Sequence, residues 1–426
     1  MTFETTPQDW FNHISQEINT NALLQFVISS NNKINYEILS KAVNYLIIEN
    51  PILGCIFNEN FNPPVWQYEF KNFKTPCFNL LTEDMASKIK EILEIEIDTT
   101  KELPLCVYLL ENQINNTIIL KVNHSVCDGS GIKYILKQLS TIYTQIENHE
   151  EKESSQNTNN RNTNNFYRAF NIENINSYFE SEKADTPPTW GFPINKSNNS
   201  KLFTFKLLRY SEDDFNKIKE FSKLNEITIN SLFSAIYFKA LVQTLKIKDQ
   251  NKELQFMIDL RKYLDKERPQ TICNLATTLN VKLSTKFKNY KNYFKYTDNE
   301  IKNLINSKDF IHNTIAGDLS KDLGYSKLKD TFIIEWDEIK NTESCTPMIT
   351  NLGLFEKNTI KFGSSTISDI YFISPAFVAP AFMLSLFTYN NTISICSSYY
   401  EENISSKIIN DLFNNMEIQI KELLTK

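Results

Sequence analysis

One stretch constrains the fold more than any other: TIILKVNHSVCDGSGIKYILKQL, residues 117–139. An unbroken apolar run enters it. From Gly131 onward, Ile132, Tyr134, Ile135 and Leu139 recur at helical spacing. The pattern predicts a strand, a tight connection and a helix. His124 lies on the connection, with Asp128 four positions later and Gly129 directly after that. The chain of 426 residues has only 4 histidines and 8 glycines, so both positions call for a reason. Glycine is needed where a backbone enters positive φ or passes close to a neighbour.

Histidine is the natural general base near neutral pH, because its unperturbed pKa lies near 6.5. A base must come within about 3 Å of its proton, which requires a fixed ring. A segment leaving a strand supplies that rigidity. Asp128 can turn back across the bend, either to orient the imidazole or to brace the loop on a cation elsewhere. Gly129 is expected to let the backbone turn sharply, and N–H groups freed at the turn are candidate donors to an oxyanion. Ser125 is a nucleophile by type, but beside His124 it is expected to point away from the ring, and no GxSxG is present. Direct transfer is therefore favoured: His124 deprotonates an acceptor, which attacks a bound acyl donor. The same residues also suit a packing or surface histidine, and type and spacing alone leave that alternative open.

Both halves of the chain mix strands and helices. Residues 20–51 read as a strand, then a helix with Ile38, Leu39, Ala42, Val43, Leu46 and Ile47 on one stripe, stopped by Pro51. ILGCIF and PVWQYEF read as short strands, 83–94 as a helix, and LPLCVYLLENQINNTIILKVNHS as a hairpin. The polar run 147–165 offers nothing to a core and is expected to be an exposed, disordered loop. Residues 181–200 are irregular, with a short apolar patch around Trp190. From about 201 come a strand, a helix capped by Ser211 and a buried helix capped by Thr228 or Asn230. Two strands, ELQFMIDLRKYL and CNLATTLNVKL, and further segments lead to a closing helix at 405–424. No GxGxxG or regular βαβ repeat appears. The expected fold is α+β, with an N-terminal unit 1–182, a C-terminal unit 201–426 and a site between them.

Charge and cysteine usage exclude other classes. The net charge is −6 and no basic stripe is interleaved with aromatics, so nucleic acid is not an expected partner. KFKNYKNYFKY, 286–296, reads as a basic surface segment. Seven scattered cysteines with no CxxC point to a reducing compartment and away from a metal cluster. The stretch AFVAPAFMLSLF, 376–387, is too short to cross a bilayer and reads as core. The first residues lack a signal-peptide pattern. A cytoplasmic protein with no membrane span and no metal is expected.

NHSVCDG resembles the HHxxxDG or HxxxDG signature of the chloramphenicol-acetyltransferase-like superfamily. That superfamily includes condensation domains of nonribosomal peptide synthetases, alcohol acetyltransferases and polyketide-associated acyltransferases. The opening ALLQFVISSNNKINYEILSKAVNYLIIENPILGCIF, the segments MIDLRKYL and MITNLGLF, and the ending NNTISICSSYYEENISSKIINDLFNNM resemble further landmarks in the same order. The resemblance implies two similar mixed α/β lobes in a V, with a channel between them. It implies His124 as general base, and Asp128 as a mainly structural residue paired with Arg261 of the D-x-R segment that begins at Asp259. Gly129 matches the motif glycine. Asn351 and Gly353 match a segment near the lobe junction, and Asn123 holds the place of the first histidine of condensation domains.

The activity implied is transfer of an acyl group from an acyl thioester to an alcohol acceptor. Coenzyme A, or an acyl or peptidyl carrier protein with its phosphopantetheine arm, would be the co-substrate, with no tightly bound cofactor. A monomer is expected, since the two lobes can form the site within one chain. Amide formation on an amine acceptor with carrier-bound substrates is the nearest enzymatic alternative. A non-catalytic carrier-binding module is an alternative of a different class.

Overall fold

The computed structural model describes residues 1–113, 115–150, 156–158, 160–179, 187–195, 202–248, 251–264, 271–286, 290–356 and 359–425. The apolar run before His124 becomes strand Asn116–Asn123, buried along its whole length. It lies at the centre of a five-stranded sheet ordered Ile367–Ile373, Leu23–Ser30, Asn116–Asn123, Leu105–Glu111, Cys77–Leu81. The predicted hairpin is there: Leu105–Glu111 and Asn116–Asn123 pair antiparallel, Leu105 opposite Val122. A strand covered on both faces needs a continuous apolar run rather than alternation. One face is covered by helices Tyr36–Glu49 and Gly129–Glu147, through a core that includes Phe26, Leu46, Leu120, Ile135 and Leu139.

The other face carries the exception in that run, Lys121, which is fully buried. Its ammonium donates to the Ile92 carbonyl at 2.5 Å and to the Ile95 carbonyl, at the end of helix Met85–Glu94. Cations favour the C-terminus of a helix, where unsatisfied carbonyls gather. Asn123, two residues on, reaches the Ile97 carbonyl from the same strand face.

A second sheet holds Ala276–Ser284, Asn251–Asp259, Met348–Phe355, Met383–Tyr389 and Thr392–Tyr400 in that order, with Ala376–Phe377 and Phe203–Tyr210 both pairing to Thr392–Tyr400. Helices Ile229–Thr244 and Ser406–Leu424 pack on it through Phe233, Ile236, Leu384, Ile395, Phe413 and Ile420. Thr228 caps the first of these, its hydroxyl accepting from Ser231 N. The 376–387 stretch is core, with Ala379, Phe382, Leu384 and Leu386 buried. So are Trp190 and Phe192 of the irregular link. Within the basic segment 286–296, Tyr293 and Phe294 are buried in helix Tyr290–Ser307. Residues 287–289 lie outside the described residues.

Two features of the described residues bear on the halves. Strand Ile367–Ile373 leaves the C-terminal half and pairs antiparallel with Leu23–Ser30, so the boundary near 182–201 does not separate the two sheets. The polar run 147–165 is not wholly outside the core, because Arg161 is only 6% exposed. Residues 151–155 and 159 of that run lie outside the described residues.

Candidate active site

His124 stands in the turn that follows the central strand, its backbone N–H donating to the Ala22 carbonyl at 2.7 Å. The turn is tied down by its neighbours. Asn123 Oδ1 accepts from Ser125 N at 2.9 Å and from Ser125 Oγ at 2.6 Å, while Asn123 Nδ2 donates to Gln16 Oε1 at 2.8 Å. Both side chains are buried and committed to these bonds. Asn123 therefore braces the turn, and Ser125 spends its hydroxyl on Asn123.

The expected oxyanion donors are mostly engaged as well. The N–H groups of His124, Ser125, Val126, Asp128 and Gly131 all donate within the protein. The reason is burial: an N–H withdrawn from water must find a partner inside.

His124 as a residue is half-buried, and protein surrounds its ring. Its Nδ1 lies 3.2 Å from Asn274 Oδ1. Among the described residues, no side chain bonds Nε2. Burial pushes its pKa down from the usual histidine value, partly offset by its own backbone carbonyl, Asp128 and Asn274.

Asp128 begins helix Gly129–Glu147 as its cap, Oδ1 accepting from Gly131 N at 2.9 Å. Oδ2 accepts from Arg261 Nη1 and from Leu275 N, both at 2.7 Å. Burial alone would raise this carboxyl, but Arg261 and the backbone donors outweigh it and hold the pKa below the usual range. Arg261 also donates to the Cys273 carbonyl at 2.8 Å and to Asp259 Oδ1 at 3.3 Å, and Asp259 Oδ2 accepts from Ser130 Oγ at 2.6 Å. The D-x-R segment thus closes on the HxxxDG segment from the other half of the chain.

Gly129 does not adopt positive φ, so the expected sharp turn is not its role. A Cβ there would meet the Leu352 side chain at 3.3 Å, which makes close approach the constraint. Two residues on, a Cβ at Gly131 would lie 2.6 Å from Cys127 Cβ, an impossible contact. Asn351 and Gly353 flank Leu352 at an irregularity in strand Met348–Phe355, where Gly353 has φ +77° and its N–H donates to Asn351 Oδ1 at 2.8 Å. They reach the motif through Leu352 and through Lys133, whose ammonium donates to the Leu352 carbonyl at 2.7 Å.

Three residues at the site lay outside the sequence expectation: Asp9, Arg161 and Asn274. Asn274 Nδ2 donates to Asp9 Oδ1 at 3.1 Å and to the Ser125 carbonyl at 3.0 Å. Asp9, fully buried, takes both Nη groups of Arg161, at 2.8 and 3.2 Å, along with Trp66 Nε1 and Thr6 N. Two signals were readable. Thr6-Pro7-Gln8-Asp9 has the form of a capping box with proline at the first helical position, and it caps helix Pro7–Ile18. Arg161 is an arginine in a chain whose cations are mostly lysine, and arginine's fork suits buried bidentate pairing.

Two other features do not extend the site. His13, Glu17 and Glu59 offer ligand atoms within 4.8 Å of one another, but Lys329 lies 2.7 Å from Glu17, and Tyr325 donates to Glu59 at 2.5 Å. A cavity of about 1270 Å³ opens beside Arg161, between residues 2–7, 158–175 and the Asp318 region, and no HxxxDG residue lines it.

A family model described as the condensation domain matches residues 4–252. The chain belongs to the condensation domain family. Among solved structures, this condensation-family chain is similar to polyketide synthase associated protein 5 from Mycobacterium tuberculosis, with TM-score 0.69 and 12% identity over 98% of each chain. It is similar to the trichothecene 15-O-acetyltransferase from Fusarium sporotrichioides, with TM-score 0.71 and 12% identity over 99% of this chain and 95% of that one. It is also similar to the first condensation domain of the CDA synthetase, with TM-score 0.69 and 10% identity over 100% and 96%. At these identities the likeness is one of mixed α/β fold. A search of curated proteins returns no match. Among the described residues, no helix is long and apolar enough to cross a membrane.

Proposed function

We propose that this chain is an acyltransferase that moves an acyl group from an acyl thioester to an alcohol, with His124 as general base. The observation that carries the reading is the partly exposed His124, held at the seam where Asp128 of one half meets Arg261 of the other. The two halves would act as lobes in a V, and a channel between them would bring thioester and acceptor to the ring from opposite sides. Holding both reactants together supplies a large effective concentration.

In the step proposed, His124 Nε2 takes the hydroxyl proton as the oxygen bonds to the thioester carbonyl carbon. The tetrahedral intermediate then collapses, the C–S bond breaks, and the departing thiolate takes the proton from the imidazolium. Coenzyme A or a carrier-bound phosphopantetheine would be the leaving thiol, with nothing held between turnovers. The condensation domain match favours one second reading: amide formation with a carrier-protein donor. Seven free thiols fit work in the cytoplasm, and both site segments come from one chain, which fits a monomer.

The test is a screen of acyl-CoA and acyl-carrier thioesters against alcohols and amines, reading released thiol and product mass. Ester product is expected, with His124→Ala lowering the rate by about 10²–10⁴. Unimpaired turnover by His124→Ala would end this reading.

A further inference from the structure

The hydrogen bonds behind the imidazole run through four segments distant in the chain, ending at residues 124, 274, 9 and 161. We propose that Asn274 is a positioning residue that fixes the tautomer of His124, and that Asp9 and Arg161 hold Asn274 in place. This rests on the acyl-transfer reading above.

The orientation of the Asn274 amide follows from its neighbours. Its nitrogen faces Asp9 Oδ1 at 3.1 Å and the Ser125 carbonyl at 3.0 Å, and both can only accept. The amide oxygen must then face the ring, 3.2 Å from Nδ1. Only a protonated Nδ1 makes a bond there. A neutral ring with its proton on Nδ1 carries its lone pair on Nε2, the nitrogen a base at this site would use.

Asp9 cannot turn aside. One oxygen accepts from Arg161 Nη1, Trp66 and Thr6, the other from Arg161 Nη2 and Asn274. Arg161 is fixed in turn, donating to the carbonyls of Ile272 at 3.0 Å and Val126 at 2.8 Å. Residue 274 must accept on one side and donate on the other. Asparagine does both in one small side chain. Aspartate would set two carboxylates against each other, and leucine would take the Asn274 acceptor from the ring N–H and one of two donors from an Asp9 oxygen.

Nitrogen-15 NMR of the intact chain reads the tautomer directly. At pH ~8, well above the histidine range, His124 should carry its proton on Nδ1, with Nε2 bare. A wild-type ring protonated on Nε2 overturns the proposal. In kinetics, Asn274→Asp sets a carboxylate against Asp9 and should push residue 274 away from the ring, losing on the order of 10²–10⁴ in kcat, the scale of a general base no longer held in place. Adding Asp9→Asn restores a donor facing an acceptor. The double variant should recover part of the loss, and its acid limb should move to higher pH because a carboxylate now faces the imidazolium. A double variant that folds but shows neither recovery nor a moved limb counts against the positioning role. The two failures are distinguishable: full turnover by His124→Ala removes the base reading itself. An inactive His124→Ala beside an Asn274→Ala of wild-type rate and tautomer removes this inference alone.

Discussion

At the scale of single residues, the pH behaviour of the site follows from burial. His124 releases its proton below the usual histidine value of 6.5 because the protein around it disfavours the charged ring. A base is active when unprotonated, so kcat/KM should hold level through neutral pH and fall only on the acid side, with a midpoint below 6.5. A pH–rate profile with an acid limb above 7 would contradict this. Asp128 and Arg261 give the complementary case. Their pair is largely withdrawn from water, with the Asp128 side chain 5% and the Arg261 side chain 20% exposed. Arg261→Ala would strand Asp128 and should cost about 3–5 kcal/mol of stability in urea unfolding. Arg261→Lys should fall between, since an ammonium cannot reproduce the fork that meets Asp128, Asp259 and the Cys273 carbonyl together.

At the scale of elements, the strand–turn–helix around His124 was legible because its signals are local: an apolar run, an aspartate cap and helical spacing. The helices 36–49, 85–94 and 229–244 were legible for the same reason. What periodicity does not carry is a contact between residues over a hundred positions apart, and for that reason Asn274 and Arg161 escaped notice while the Asp128–Arg261 pair was found only through resemblance. Lys121 shows the same limit: in sequence it interrupts an apolar strand, and in the fold its ammonium ends the helix Met85–Glu94. Burial brings its pKa down to about 8, against about 10.4 in an unfolded chain. Between those values the unfolded state binds the extra proton, so this group makes stability rise with pH there. Below pH 8 the folded chain holds the buried charge at a cost. Urea midpoints at pH 7.5 and 9.5 should therefore differ less in Lys121→Met than in wild type, after the shared titration of other groups is subtracted. An identical difference in both proteins would show that Lys121 is not the group responsible.

At the scale of the whole molecule, the two sheets share more than the Asp128–Arg261 contact. Strand Ile367–Ile373 supplies the edge of the N-terminal sheet, and Phe372, Phe355 and Phe387 of the C-terminal half pack against Phe26 of the N-terminal half. Arg209 pairs with Asp369 and lies over the Tyr371 ring at 5.6 Å, tying the returning strand to the second sheet. Removing the C-terminal half would bare the backbone edge of Leu23–Ser30 and the apolar surface around Phe26, an invitation to edge-to-edge association. Residues 1–200 expressed alone should therefore aggregate or lack a cooperative transition, while co-expression with 201–426 should recover a soluble complex. The intact chain should unfold in one transition, and Ile370→Asp, which places a charge at a fully buried position of the returning strand, should lower that transition as a whole. Two separate transitions, with only one of them moved, would mean that the returning strand does not couple the halves. In that case the Asp128–Arg261 contact would have to keep the site assembled without it.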